Sequence, residues 1–275
     1  MLRVLDDRDL AAVLDLLDAD PIGNVFVASR VAAAGLAPER LGAQVWGYGK
    51  GSRPSALCYA GANLIPVGAD GDALHAFAEH AVRQGRRCSS IVGPAEMVEV
   101  LWEVLEPHWG PAREVRMRQP LMVTNAYSPV PPDTAVRRVR LDELELLLPA
   151  SIAMFTEEVG VSPTMGDGGA LYRARVRELV SSGRAFARFE DERVVFKAEV
   201  GAATKAACQV QGVWVEPSLR GRGLSVPGMA AVVAACLRDV APVVSLYVND
   251  FNAPARRSYE RVGFTEVGLF ASVLF

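Results

Sequence analysis

The sequence predicts an α/β fold of the mixed-sheet, α+β kind, in two domains that each have a central mixed sheet flanked by helices. Of the 275 residues, 51% are hydrophobic and 22% are charged, which is the balance of a globular chain. The segment from Thr124 to Thr134 contains three prolines and separates two halves of similar size. Strands and helices are predicted in a similar order in both halves, which indicates a duplicated fold.

The proline-rich segment sets the predicted domain limits. We assign residues 1–125 to a first domain, 126–135 to a linker and 136–275 to a second domain. In the first domain, hydrophobic periodicity predicts strands at 2–5, 44–48, 56–66, 89–92 and 113–123 and helices at 8–17, 25–34, 73–83 and 96–105.

The second domain has more distinct boundaries between its elements. Gly183 ends one predicted helix, and Asp191-Glu192 forms a predicted hairpin turn between two strands. The predicted order is a strand at 136–140, helices at 143–158 and 170–182, strands at 185–190, 194–200 and 207–215, a helix at 225–239, a strand at 243–248, a helix at 253–262 and a strand at 264–275.

Charge and composition exclude several classes of function. The formal net charge of −3 and the sequence pI of about 5.7 provide no basic surface for nucleic acid. Three acidic residues among the first nine do not fit a secretory signal, and the longest apolar run, 226–237, is too short to span a membrane. We therefore expect a soluble, cytoplasmic protein without nucleic-acid or membrane partners.

The cysteines and histidines have no metal-ligand spacing. The residues concerned are Cys58, Cys88, Cys208, Cys236, His75, His80 and His108. We interpret the cysteines as buried, reduced thiols and the histidines as surface or packing residues. We therefore expect no metal site.

A glycine-rich stretch before the predicted helix 225–239 points most directly to chemistry. A strand ending at Val215 leads through a proline turn into the run Arg220-Gly221-Arg222-Gly223 and then into the helix. A helix N-terminus attracts anions through its unpaired N–H groups and partial positive charge, and glycines let a ligand approach the backbone. The stretch therefore predicts a pyrophosphate site, although it matches neither the Walker loop nor the dinucleotide fingerprint.

A second polar stretch lies at the last predicted helix, 253–262. Asn252 is the predicted cap of this helix, and the spacing of Asn252, Ala255 and Tyr259 gives them a common face. The small Ala255 leaves room for a thin chain between two polar groups. The alternative is an ordinary amphipathic helix whose tyrosine packs in the core.

The two stretches, Val213 to Ser225 and Asn249 to Phe264, resemble the two acetyl-CoA motifs of the GNAT superfamily of N-acetyltransferases. The resemblance covers residues 136–275 and implies acetyl-CoA as co-substrate. It implies backbone contacts to pantetheine from the strand, N–H contacts to pyrophosphate from the loop, an Asn near the cofactor, and a Tyr that protonates the leaving thiolate. The positions implied, in that order, are Val213 and Val215; Arg220, Gly221, Arg222, Gly223, Leu224 and Ser225; Asn252; and Tyr259.

Two positions in these motifs depart from the family pattern. Ser218 stands where Gln or Arg is preferred, and Ser225 stands where Gly or Ala is usual. The loop Arg220–Ser225, which we call the phosphate cradle, depends on backbone donors. Both departures are therefore compatible with acetyl-CoA binding, although they could weaken it.

The general base has several candidates. Glu199 lies in the half-buried strand pattern 194–200, where a carboxylate needs either a catalytic role or a cationic partner such as Lys197 or Lys205. Glu157 and Glu158, at the end of the predicted helix 143–158, are the rival bases. Our assignment is Glu199, with ion pairing as its alternative role.

The first domain lacks a comparable cradle, because Asp70 and Asp72 stand where the phosphates would bind and would repel them. The chain thus resembles tandem GNAT proteins with one degenerate half, and we expect one CoA per chain. The degenerate half is expected to form a wall of the acceptor site or a contact in a homodimer. The glycine-rich loop 160–169 is expected to close over the substrate, and Asp167, with Glu157 and Glu158, would make its rim acidic and suited to a cationic amine.

The resemblance implies an acetyl-CoA-dependent N-acetyltransferase whose acceptor is a primary amine of a small molecule or a protein. The alternative is a non-catalytic acyl-CoA-binding or scaffold protein that keeps the cradle without a working base. A third possibility, an aminoacyl-tRNA-dependent transferase, fits less well because the pyrophosphate loop is intact and the chain is acidic.

Overall fold

The computed structural model describes residues 1–51, 53–166 and 168–275. They form two compact units, each made of segments that are distant in sequence. Unit 1 comprises Met1–Met122, Tyr247–Asn252 and Glu266–Phe275, and unit 2 comprises Val123–Leu246 and Ala253–Thr265. The domain limits inferred from the proline-rich segment stay a prediction.

Most elements alternate between helix and strand along the chain. In the first half they are β1 Leu2–Val4, α1 Leu10–Asp18, α2 Val25–Ala34, α3 Pro38–Leu41, β2 Gln44–Tyr48, β3 Ala56–Ala60, β4 Asn63–Val67, α4 Gly71–Gln84, β5 Ser90–Pro94, α5 Ala95–Trp109 and β6 Glu114–Thr124. In the second half they are β7 Arg137–Arg138, α6 Leu144–Val159, α7 Ala170–Ser181, β8 Ala185–Glu190, β9 Arg193–Ala203, β10 Cys208–Val215, α8 Ser225–Asp239, β11 Val244–Tyr247, α9 Ala253–Val262 and β12 Thr265–Leu274.

The sheet of unit 1 has the strand order β1-β2-β3-β4-β5-β12-β6. It is mixed, because β4 and β5 are parallel whereas β1 to β4 pair antiparallel in sequence. Side chains alternate between the faces of a strand, so each face has its own core. Trp46 and Cys58 pack with Phe77 and other residues of α4 and α5, whereas Val45 and Leu57 pack under α1 and α2.

The sheet of unit 2 has the order β11-β10-β9-β8-β7, with β10 and β11 parallel and the other neighbours antiparallel. On one face, Leu147 of α6 and Val176 of α7 pack with Val194 of β9. On β9, the ring of Phe196 lies against α8 at Gly228, where an added Cβ would come within 2.9 Å of the ring. Helices therefore cover this sheet on both faces.

The structure confirms most predicted elements but corrects three. The predicted strand 56–66 is wrong, because the chain turns at Gly61-Ala62, where the Gly61 N–H donates to the Asn63 carbonyl at 3.0 Å. An unpredicted helical turn, α3, follows Ala37, and the predicted strand 136–140 is reduced to the two residues of β7. The missed turn joins two apolar strands, so hydrophobic periodicity alone did not reveal it.

The four cysteines are buried and none forms a disulfide, in agreement with the prediction of reduced thiols. Burial raises the pKa of Cys88 to about 11, so this thiol stays protonated at neutral pH. Over the described ranges, no helix combines the length and apolar character needed to cross a membrane.

Candidate active site

The candidate site of unit 2 begins where two parallel strands separate. The register of β10 and β11 pairs Cys208 with Val244 and Gln209 with Ser245. Beyond these two pairs, β10 continues to Val215 and β11 continues to Tyr247 without further pairing between the two strands over the described residues. The other edge of β10 stays paired with β9. The separation of β10 from β11 gives a ligand access to backbone groups of β10.

A β-bulge on β10 lies in this region. Gln211 pairs with Glu199 and Trp214 pairs with Lys197, so β10 has one residue more than β9 between the two pairs. Gly212 occupies the bulge with a φ of +59°, and an added Cβ would lie 3.0 Å from the Glu199 carboxyl carbon. Glycine is therefore needed here for both its backbone conformation and its lack of a side chain.

The Glu199 carboxylate is part of a buried polar cluster. Lys197 is 1% exposed, and its Nζ lies 3.3 Å from Glu199 Oε2 and 3.1 Å from the Gly212 carbonyl oxygen. Gln211 donates from Nε2 to Glu199 Oε1 at 3.1 Å. The structure thus contains the ion pair with Lys197 that was the alternative role of Glu199, and its role as base stays a prediction.

The glycine-rich loop leaves backbone donors without partners. Gly221 and Gly223 have φ values of +78° and +82°, and an added Cβ at either would meet nothing within 4 Å. Leu224 precedes α8 and provides no side-chain cap. Within the part of the chain that the structure describes, five N–H groups at this turn have no acceptor: those of Gly221, Gly223, Leu224, Ser225 and Val226. Such a cluster of donors is an anion site.

Side chains from α6 and β10 fix the start of this loop. Arg220 donates to Glu157 Oε2 at 2.7 Å and to the Val215 carbonyl at 3.0 Å, and Trp214 donates to Glu157 Oε1 at 3.3 Å. Glu157, one of the rival bases, therefore holds the loop. Arg222 is exposed and makes no ion pair with any described residue, so its guanidinium is available to an anion.

Two helices meet beside the loop through a pair of serines. Ser225 Oγ lies 3.0 Å from Ser258 Oγ, and Ser258 donates to the Pro254 carbonyl at 3.0 Å. The Ser225 hydroxyl, one of the two departures from the family pattern, is thus occupied by α9. Its backbone N–H remains available for a ligand.

Tyr259 of α9 is 8% exposed and packs edge-on against Phe264 with ring centres 6.0 Å apart. Its hydroxyl has no hydrogen-bond partner among the described residues. Burial, and to a smaller degree the charge of Glu158, raises the pKa of Tyr259 above its usual value near 10. The phenol therefore stays protonated at neutral pH and can donate a proton.

The predicted site residues divide between the units. Val213, Val215, the Arg220–Ser225 loop, Glu199 and Tyr259 belong to unit 2. Asn252 belongs to the unit 1 segment Tyr247–Asn252, where it is exposed and its N–H donates to the Asn249 carbonyl at 2.9 Å. Asp167 lies outside the described residues.

Sequence reasoning missed two parts of the site. Glu157 was considered as a base and not as the residue that fixes Arg220 and Trp214, and Gln211 was not assigned to Glu199. Gly212 in the interior of a predicted strand was the available indication of a bulge. Over the described residues, no group of His, Cys, Asp or Glu is arranged to hold a metal ion.

Comparison with protein families identifies two regions of the chain. A model of the Acetyltransferase (GNAT) family matches residues 169–264, which include the loop, Glu199 and Tyr259. A model described as a domain of unknown function, DUF4081, matches residues 43–147.

Solved structures resemble the whole chain. A Drosophila protein has a TM-score of 0.68 at 14% identity, and a GCN5-related N-acetyltransferase from Sphaerobacter thermophilus has 0.61 at 16%. A tandem GNAT protein from the clavulanic acid biosynthesis pathway has 0.59 at 14%. These alignments cover 100% of this chain and 98%, 95% and 98% of the other chains, respectively. At such identities the likeness concerns the fold, and it confirms the predicted mixed α/β architecture.

Proposed function

We propose that unit 2 transfers an acetyl group from acetyl-CoA to a primary amine, a proposal supported by the match of residues 169–264 to the model of the Acetyltransferase (GNAT) family. The acceptor belongs to a small molecule or a protein. The reaction takes place at one site, which contains the Arg220–Ser225 loop, the β10 bulge and Tyr259.

The observation that carries this proposal is the set of N–H groups around the start of α8 that have no acceptor among the described residues. Five neighbouring donors without acceptors would be an unfavourable arrangement unless water or a ligand satisfied them. The positive end of the α8 dipole and the free guanidinium of Arg222 add to the attraction for an anion. A pyrophosphate supplies several acceptor oxygens together with negative charge, which matches these donors in number and sign.

The end of strand β10 is the proposed binding site of the pantetheine arm of acetyl-CoA. Val213 lies in the bulge and Val215 at the strand end, beside the loop. Backbone groups here can bind the amide-containing pantetheine arm as a further strand would. The Val215 carbonyl already accepts from Arg220, so a contact to this oxygen uses its second lone pair.

The proposed chemistry is direct transfer. The amine nitrogen attacks the thioester carbonyl carbon, a C–N bond forms, and the C–S bond breaks as the thiolate leaves. Tyr259 gives its proton to the thiolate, and the amine loses one proton to Glu199 directly or through water. Proton exchange with solvent then restores both residues.

The structure supports these two roles differently. Tyr259 is a protonated phenol with an unpartnered hydroxyl, as an acid requires. Each Glu199 oxygen accepts one hydrogen bond, from Lys197 or from Gln211, and so keeps a lone pair for an amine proton. The Lys197 ammonium also compensates the charge of this buried carboxylate.

The proposal is tested by calorimetric titration with acetyl-CoA, followed by an assay of thiol release over a panel of amines. The panel contains polyamines, amino-acid amides and peptides with free N-termini or lysines. We expect one CoA per chain and thiol release with at least one cationic amine. Binding without turnover on any amine would favour the non-catalytic acyl-CoA-binding or scaffold protein, and failure to bind acetyl-CoA would contradict both functions.

A further inference from the structure

Unit 1 contains a cavity of about 380 Å³ that the proposed transferase reaction does not use. It lies at the C-terminal end of α4, next to the start of β2 and the turn between β3 and β4. Its volume is within the range of small-molecule sites, about 300–1,000 Å³.

This cavity is not the unit 1 counterpart of the phosphate cradle. The counterpart position, at Asp70, is at the opposite end of α4, a helix of 14 residues. At a rise of about 1.5 Å per residue, the two ends are roughly 20 Å apart. A ligand in the cavity would therefore not contact Asp70 or Asp72.

The walls of the cavity combine indole rings with small residues. Trp46 of β2 and Trp109 of α5 line it, and Trp46 is 3% exposed. At the β3–β4 turn, Ala60, Gly61 and Ala62 line the cavity with small side chains or none. Two indoles around a space that small residues leave open favour a flat, ring-containing ligand.

The polar groups at this cavity are mostly donors. The Nε1 of Trp109 is buried and has no acceptor among the described residues. Gln44 uses its Oε1 to accept from Trp46 Nε1 at 3.0 Å, which leaves its amide NH₂ as a further donor. None of the described residues that line the cavity is acidic. Such a lining favours a ligand rich in acceptor oxygens.

Arg87 provides the positive charge at the cavity. Three arginines follow one another closely at this end of α4, but Arg83 lies 3.8 Å from Glu79, and Arg86 stacks on the Phe275 ring at 4.6 Å. Arg87 lines the cavity, is exposed, and has no ion pair with any described residue. Its full charge exceeds the partial negative charge of about one half at the carbonyl end of α4.

We propose that this cavity binds a small aromatic carboxylate. The ring lies among the indoles of Trp46 and Trp109, and the carboxylate accepts from Arg87 and from the Trp109 indole N–H. The described residues that line this cavity all belong to unit 1, whereas the loop proposed to bind acetyl-CoA belongs to unit 2.

The test is calorimetric titration of the full chain with 2-naphthoate in the presence and absence of saturating acetyl-CoA. The neutral amide 2-naphthamide and the cation 2-naphthylmethylamine serve as ligands of matched shape. We expect saturable 1:1 binding of 2-naphthoate that acetyl-CoA does not change, and affinities for the other two ligands that are weaker by about tenfold or more. Equal affinity for the amine, or no saturable binding of 2-naphthoate, would overturn the proposal.

Two variants test the named contacts. Arg87→Gln removes the charge and should weaken 2-naphthoate binding by about tenfold, whereas Arg83→Gln, at the same helix end but outside the cavity lining, should leave it unchanged. Trp109→Phe keeps a ring against Phe275 but removes the N–H, and should weaken binding several-fold. Circular dichroism checks that each variant is folded. Unchanged affinity in folded Arg87→Gln and Trp109→Phe variants would contradict the assignment.

Discussion

Helices α4 and α8 begin in the same structural context but with opposite chemistry. Each follows a strand whose parallel partner is paired at two positions, β4 with β5 in unit 1 and β10 with β11 in unit 2. At α4, Asp70 Oδ1 accepts from the Ala73 N–H at 3.0 Å. At α8, Leu224 provides no such acceptor, and the N–H groups around it have no partner in the part of the chain that the structure describes.

The two helix N-termini differ in whether the chain itself supplies acceptors for their N–H groups. Every helix N-terminus has unsatisfied donors, and something must supply acceptors. In unit 1 the chain supplies a carboxylate of its own, which also repels an incoming phosphate. In unit 2 it supplies glycines and arginines, so the acceptors must come from water or a ligand.

The strands before the two helices differ as well. β4 pairs with β3 without a register shift, whereas β10 has the bulge at Gly212 opposite β9. The bulge brings a backbone carbonyl to Lys197 and leaves space for Glu199. Unit 2 thus has both an open helix terminus and a carboxylate beside the same strand, and in unit 1 the corresponding strand is regular.

The largest expected effect is on acetyl-CoA binding. Gly221→Asp places a carboxylate and a side chain among the free N–H groups, giving unit 2 the kind of terminus that unit 1 has. We expect acetyl-CoA affinity to fall by at least about 100-fold, or about 2.7 kcal/mol, in a calorimetric titration.

Gly51→Asp is the matched control for this substitution. Gly51 is also exposed, has a φ of +76°, and has open space around an added Cβ, but it lies in unit 1. The two variants should therefore incur similar backbone strain while Gly51→Asp binds acetyl-CoA normally. Normal affinity in a folded Gly221→Asp variant would remove the loop from the proposed site.

The next effect concerns the acid. Tyr259→Phe keeps the buried ring but removes the proton donor, so we expect kcat to fall by about 100-fold while KM for acetyl-CoA changes little. Tyr59→Phe is the control, since Tyr59 is also buried with a raised pKa but lies in unit 1. Because the pKa of Tyr259 is raised, deprotonation of this phenol should not lower the wild-type rate below about pH 10. A kcat equal to that of the parent would reassign the acid.

A smaller loss is expected at the proposed base. Glu199→Gln keeps the shape of the side chain but cannot take a proton, so kcat should fall by about tenfold or more in the thiol-release assay. Glu190→Gln, on an exposed strand end where the carboxylate pairs with Arg188, should have no effect. An unchanged rate in Glu199→Gln would leave this residue with its structural ion pair and assign the base to Glu158 or water.

The sequence predicted the local parts of this comparison well. The helices Ser225–Asp239 and Ala253–Val262 begin and end where they were predicted. The glycine-rich loop marks the start of the first helix, and Pro254 and Gly263 mark the limits of the second. The contrast between Asp70 and the glycine loop was also apparent, since acceptors and donors at a helix terminus are read from a few adjacent residues.

Contacts between distant residues were not predictable in the same way. Glu157 binds Arg220 across 63 positions in sequence, and Gln211 reaches Glu199 through a strand register that includes a bulge. In unit 1, the antiparallel pairing of Phe270 with Pro94 joins residues that are 176 positions apart in sequence. Such pairings depend on packing and register, whereas single-sequence patterns report periodicity and turns.

The smallest expected effect lies at the closed terminus. Asp70→Ala removes the acceptor for the Ala73 N–H, so the free energy of unfolding should fall by about 1 kcal/mol. Asp72 lies in the first turn of α4 and is not its N-cap. Asp72→Ala should therefore lower the free energy of unfolding by only about 0.3 kcal/mol, because it removes a favourable charge at the positive end of the helix dipole. Urea denaturation, monitored by tryptophan fluorescence, measures the free energy of unfolding of both variants. Because unit 1 also lacks the glycine loop and the bulge, calorimetry of Asp70→Ala should still give one CoA per chain. A second bound CoA would mean that Asp70 alone keeps unit 1 closed.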